Sequence, residues 1–136
     1  MEPLEKITNF ISKHHVLSLA TYGEDGVSVC SVFYAYEEQT QQFVFASDTK
    51  TTHIQHILKN PQVGANILLE TAEVGKIEGL QIKGKCKKLQ ESSLKKLYFK
   101  TFPYALALAP TLWCLDVEYF KLTDNRLGFG KKLIWP

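Results

Sequence analysis

The stretch Phe43-Val-Phe-Ala-Ser-Asp-Thr-Lys-Thr-Thr-His53 gathers residue types suited to holding an anion. An apolar strand-like run ends, hydroxyl side chains and one lysine follow, and a helix begins. The first-turn N–H groups of such a helix have no intrahelical partner, and the helix dipole is positive there. Ser47, Thr51 and Thr52 add hydroxyl donors, and Lys50 adds a point charge. Together they suit a phosphate monoester. The competing reading is a plain N-cap by Thr51 or Thr52 beside a solvated lysine.

Other reactive residues are less organised. His53 and His56 fall one helical turn apart, but no carboxylate or cysteine adjoins them in sequence to complete a metal site. No metal is therefore expected. His14-His15 suits the end of a first helix, where a cation complements the dipole; a haem ligand is the alternative. Lys83, Lys85, Lys87 and Lys88 form a ladder that could meet nucleic-acid phosphates, but no aromatic residues interleave with it. A solvated strand face is favoured. Gly128-Phe129-Gly130-Lys131-Lys132 is too short for a phosphate loop and lacks a following helix. Cys30, Cys86 and Cys114 are odd in number and scattered, which predicts free thiols.

The elements that must position these residues are mostly β. Leu4, Ile7, Phe10 and Ile11 recur at helical spacing behind Pro3 and predict a helix to Lys13. Val16 to Tyr22 alternates, Gly23-Glu-Asp-Gly26 is a turn, and Val27 to Tyr36 follows as a second strand. The middle of that strand is apolar on both faces, which predicts burial on both sides. Gln42 to Ala46 is a third strand. Thr52 followed by Gln55 predicts a capping box, and Asn60-Pro61 ends the helix. Strands follow over Val63 to Leu69 and Leu80 to Leu89, then a helix capped by Ser92 or Ser93, then a strand over Leu112 to Leu122. In that strand the apolar phase shifts near Phe120, which predicts a bulge. The count is six or seven strands and about three helices, with short links. That predicts a mainly β (α+β) fold, an antiparallel split barrel with flanking helices.

The 136 residues contain no repeat or linker, and a single domain over residues 1–136 is expected. A net charge of +2 does not demand a nucleic-acid or membrane partner, and no apolar run approaches a membrane span. Met1-Glu-Pro-Leu-Glu-Lys lacks the features of a signal peptide, so a cytoplasmic location is expected.

The order strand, Ser/Thr-rich turn, helix, Asn-Pro, strand resembles the phosphate-binding core of the pyridoxamine-phosphate-oxidase-like FMN-binding split barrels. The resemblance runs from about Pro3 to Val117. The segment Thr123-Asp-Asn-Arg-Leu-Gly-Phe-Gly-Lys-Lys-Leu-Ile-Trp135 is similar to that of a small uncharacterised bacterial branch of that superfamily. The resemblance implies a homodimer with two FMN sites at the subunit boundary. Ser31, Val32, Phe33 and Tyr34 would lie along the isoalloxazine ring and ribityl chain, largely through backbone groups. Ser47, Lys50, Thr51, Thr52 and His53 would hold the phosphate or flavin edge. Gln81 is a further ring or ribityl contact, and Trp113 would reach the flavin from the partner chain. The glycines around Phe129 would form a turn that places Phe129 and the lysines near the partner's flavin.

The implied activity is that of a flavin reductase or oxidoreductase, with NADH or NADPH as donor and a small-molecule acceptor. The alternatives are a non-enzymatic flavin carrier or sensor, a haem-binding relative and a nucleic-acid-binding barrel. The resemblance favours FMN over haem. Two departures weaken the phosphate grip. Ser31 and Thr52 stand where the oxidases carry arginines, which removes bidentate bonds. The oxidases' C-terminal Arg-x-His motif has no match here, so pyridoxamine-phosphate oxidation is not expected.

Overall fold

The computed structural model describes residues 2–128 and 131–136. The chain runs α1 (Pro3–Ser12), β1 (Val16–Gly23), β2 (Gly26–Phe33), β3 (Ala35–Glu37), β4 (Gln42–Ala46) and α2 (Thr52–Lys59). It continues with β5 (Gln62–Leu69), β6 (Glu78–Lys88), α3 (Ser92–Thr101), β7 (Leu112–Asp124) and β8 (Lys132–Trp135). Short 3₁₀ segments sit at Val74–Lys76, Pro103–Leu108 and Asn125–Leu127.

Among the described residues the strands form one eight-stranded antiparallel sheet in the order β2-β1-β5-β6-β7-β4-β3, with β8 paired to β7. The sheet curls into a half-barrel. β2 ends the sheet on one side. It pairs only with β1, and it approaches β4 without joining it. The mainly β split-barrel expectation therefore holds, with eight strands in place of six or seven. The additional strands are β3 and β8, of three and four residues, too short to show an alternating pattern.

The sequence predicts β2 unbroken to Tyr36, but the ladder breaks at Tyr34. Its N–H donates to His15 O at 3.0 Å and its hydroxyl donates to Ile11 O at 2.7 Å. The first bond reaches the residue just before β1, and the second ties the strand to the last turn of α1. Nor is β2 buried on both faces. Val32 is inside, whereas Val27 and Val29 are each 68% exposed and Phe33 is 55% exposed. An apolar residue on each face of an edge strand carries no information about what covers the outer one.

The core fills the concave side. Leu17 and Leu19 of β1, Phe43 and Phe45 of β4, Ile82 of β6 and Phe120 of β7 meet Ile7 and Ile11 of α1 and Ile54 and Ile57 of α2. Phe43 lies edge-on to Tyr34 at 5.1 Å and to Phe120 at 6.3 Å. Burial of each aliphatic side chain stabilises by about 1.5–3 kcal/mol, so Ile54 and Ile57 alone can anchor α2. A second cluster, with Val44, Leu94, Tyr98 and Cys114, seats α3.

The bulge appears as predicted. Lys83 pairs with Tyr119 but Gly84 with Val117, so Glu118 is the extra residue. Gly84 is required there, because a Cβ would overlap the Asp116 carbonyl oxygen. α3 is not capped by a serine. Its N-cap is Glu91, which makes no cap bond and lies 3.6 Å from Lys87 Nζ. The three cysteines are free, and burial pushes the Cys114 thiol up to about 12.

Candidate functional site

The Ser47–His53 turn is built by its own side chains. Thr51, not Thr52, is the N-cap of α2. Its hydroxyl accepts from Ile54 N at 3.4 Å and donates to Asp48 O at 2.8 Å. Gln55 reaches back to Thr49 O instead of closing a capping box. The Asp48 carboxylate accepts from Lys50 N at 2.8 Å. Ser47 Oγ and His53 Nε2 share a hydrogen bond of 2.8 Å. Burial first, and the nearby His56 second, hold His53 below its ordinary value, so near neutral pH it is an uncharged hydrogen-bonding group.

Three resources remain for an anion: the first-turn N–H groups of Thr52 and His53, the Thr52 hydroxyl and the Lys50 ammonium, both of these side chains exposed. Asp48 adds a carboxylate to the same turn, which opposes an anion. The segment fits a phosphate held largely by backbone dipoles and one cation, a weaker grip than a guanidinium pair would give.

Trp113 is placed differently from its expected role. It is 1% exposed, and its indole N–H donates to Ser47 O at 2.9 Å. It lies in the core of its own chain and steadies the turn from beneath, because the β4–β7 register sets Trp113 opposite Phe45.

Along β2 the period of two divides the four predicted contacts. Ser31 and Phe33 face outward, while Val32 and Tyr34 face the core at 8% and 4% exposure. Val32 and Tyr34 therefore bring no side chain to the outer face, and since the Tyr34 N–H is spent on His15 O, their backbone groups turn to the β1 side. The open edge of β2 offers the backbone groups of Ser31 and Phe33 instead.

Register brings Ser31 and Gln81 onto one line. Ser31 pairs with Ser18, Ser18 with Asn66, Asn66 with Gln81, and Gln81 with Lys121. This polar row crosses five strands of the outer face. Ser31 and Gln81 are three strand spacings apart, about 14 Å. The adjacent row runs Val29, Ala20, Gly64, Lys83 and Tyr119, with the Lys83 ammonium 5.2 Å from the Tyr119 ring centroid. The small residues Ser18, Ala20 and Gly64 leave a shallow floor between them. Ser18, Asn66 and Lys121 belong to this surface and were not foreseen. Alternation gave their faces, but cross-strand neighbours are invisible without register.

The histidines divide as well. His56 is buried between Thr21 and Asp25, while His53 turns to Ser47. Among the described residues no three His, Cys, Asp or Glu side chains gather as a metal site. Lys50, Thr52 and His56 line a cleft of about 350 Å³. Ser47 and Thr49 line another of about 420 Å³, walled by Leu108 and Pro110. Lys85 and Lys87 of the lysine ladder lie near Glu118 and Asp116. Phe129 lies outside the described residues.

An edge strand beside a Ser/Thr-rich helix start, on a curled antiparallel sheet, is the arrangement on which a family match bears. Residues 3–119 match the pyridoxamine 5'-phosphate oxidase family, and the chain belongs to it. The chain is also 34% identical over 138 residues to a UPF0306 protein of Klebsiella pneumoniae (strain 342), covering 99% of this chain and 94% of that one. Solved structures share the fold at low identity. A heme-binding protein from Mycobacterium smegmatis superposes with a TM-score of 0.81 at 15% identity, over 99% of this chain and 58% of that one. An FAD-binding protein from Mesorhizobium loti does so with a TM-score of 0.71 at 14% identity, over 87% and 92%. The preference for FMN over haem thus has no support from the fold, which carries both kinds of group. No helix is long and apolar enough to cross a membrane among the described residues.

Proposed function

We propose that the chain binds FMN, with the phosphate at the start of α2 and the ring along the open edge of β2, and that two protomers complete each site. The observation that carries this reading is that β2, left unpaired on one side, and α2, with free first-turn donors, are packed in one corner of the fold. Thr52 and His53 N–H, Lys50 and the Thr52 hydroxyl would hold the phosphate. The side chains and open-edge backbone of Ser31 and Phe33 would border the ring, with Val32 and Tyr34 backing them from the core and Gln81 further along the polar row. A second protomer would cover Val27, Val29 and Phe33.

A bound flavin supplies hydride or electron transfer, and the residues of this chain bind it, orient it and exclude water. As an enzyme the protein would oxidise NADH or NADPH and reduce a small-molecule acceptor; without turnover it would be a flavin carrier or sensor. Titration of flavin fluorescence tests the binding. FMN should bind at least about tenfold more tightly than riboflavin, and Lys50→Ala should remove about 1–3 kcal/mol of FMN affinity alone. Equal affinities would reduce the segment to a helix cap. Anaerobic bleaching of bound flavin by NADH or NADPH, compared with free FMN, separates reductase from carrier.

Haem is the second reading, favoured by the other two histidines. His14 and His15 make no side-chain hydrogen bond among the described residues. Burial, then His15 and Lys13, hold His14 below its ordinary value, which keeps a neutral ring. Both line a cleft of about 270 Å³ with Tyr34, Tyr36 and Leu97. Haem titration of the wild type and of His14→Ala and His15→Ala decides it. A Soret shift in the wild type, lost in one variant, would support haem, and an unchanged spectrum would exclude these ligands.

A further inference from the structure

A buried imidazole fastens the β1–β2 turn to α2. His56 is 7% exposed. Its Nδ1 lies 2.8 Å from the hydroxyl of Thr21, itself 2% exposed, and its Nε2 lies 2.6 Å from Asp25 Oδ1. Gly23, between them, has no room for a side chain, because a Cβ there would overlap the ring. Three residues of one hairpin are thus fitted around a ring from another element. Ile54 and Ile57 already hold α2 to the core, so anchoring alone does not call for a polar group here. Burying one costs free energy unless its bonds are made. What the imidazole adds is direction, since two hydrogen bonds on opposite sides of a ring fix position along and across the helix.

The start of α2, one turn before His56, carries the anion donors, and the same hairpin supplies β2. Lys50, Thr52, Lys59, Glu24 and Asp25 face the cleft into which the latch opens. We propose that His56 is a positioning residue, held between Thr21 and Asp25 so that the start of α2 keeps the spacing from β2 that one ligand spanning both requires. The proposal rests on the FMN reading above and names what sets the geometry of that site. Asp25 titrates below the ordinary carboxylate range through its bond to His56, in keeping with a latch closed throughout neutral pH.

Charge makes the test sharp. Asp25 is a carboxylate on a cleft proposed to lie beside a phosphate, so removing it should tighten FMN if it acted through charge alone. A loss of affinity is the signature of positioning. Asp25 is mostly exposed, so Asp25→Ala leaves the core intact, which circular dichroism checks. Flavin fluorescence titrations are made with FMN and riboflavin on the wild type, Asp25→Ala and Asp25→Asn. Asp25→Ala should bind FMN about tenfold more weakly, with riboflavin changed less than about twofold. Asp25→Asn, which keeps an acceptor oxygen without the charge, should restore most of the FMN affinity. FMN bound by Asp25→Ala as tightly as by the wild type, or more tightly, overturns the positioning role while leaving the flavin reading standing. A wild type that does not distinguish FMN from riboflavin defeats the phosphate reading, and this proposal with it.

Discussion

At the residue scale the fit between Gly23 and His56 is a coupling that mutagenesis can read. Gly23→Ala must displace the buried ring or bend the turn, which should cost about 1–3 kcal/mol in urea unfolding. His56→Ala alone strands the Thr21 hydroxyl and should also destabilise. Together the two should cost clearly less than their sum, because the second opens the space that the first needs. Strict additivity would show that the ring and the glycine do not compete. Titration gives a separate outcome. His53 and His14 both have folded-state values below the ordinary 6.5. The unfolded chain therefore takes up protons first as pH falls, so stability is complete above about pH 6.5 and declines below it. Replacing His53 by Gln should flatten that decline, as melting temperatures from pH 7.5 to 5 would show.

At the element scale the bulge is the most constrained feature. Gly84→Ala would push a Cβ into the Asp116 carbonyl, a backbone atom that cannot swing aside. It should cost about 3 kcal/mol, at the upper end for overpacking, and disturb the β6–β7 register that aligns Gln81 with Lys121. A variant as stable as the wild type would show that the bulge relaxes freely. This scale also shows what the sequence made legible. β4 and the end of α2 were readable to the residue, since the run FVFA behind Gln42 is apolar and Asn60-Pro61 forces a stop, whereas the start of α2 falls one residue earlier than the Thr52–Gln55 capping box implies. The bulge was readable from the apolar phase shift. The break at Tyr34 was not, because it depends on a hydroxyl reaching Ile11 O across 23 residues of chain. Nor was the inward turn of Trp113. A large aromatic residue looks the same in sequence whether it faces the core or a ligand. The anion turn was legible as a composition, but its division between capping Thr51 and exposed Thr52 came only with the fold.

At the scale of the whole molecule, the outer face of β2 leaves Val27, Val29 and Phe33 exposed, the face that the proposed second protomer would cover. Sedimentation should give about twice 15.5 kDa, and Val29→Lys, which sets a charge in that face, should return the mass to one chain. A wild type that sediments as one chain at micromolar concentration would leave each flavin site half-built. The open strand also bears on behaviour outside the assembly. A lone protomer presents a row of unsatisfied backbone groups flanked by exposed valines, a template on which any extended chain can add. The partner that completes the site would also hide that template. Precipitation should then begin from the dissociated species, so dilution through the dissociation range would shorten the shelf life of the protein, the reverse of ordinary colloidal behaviour.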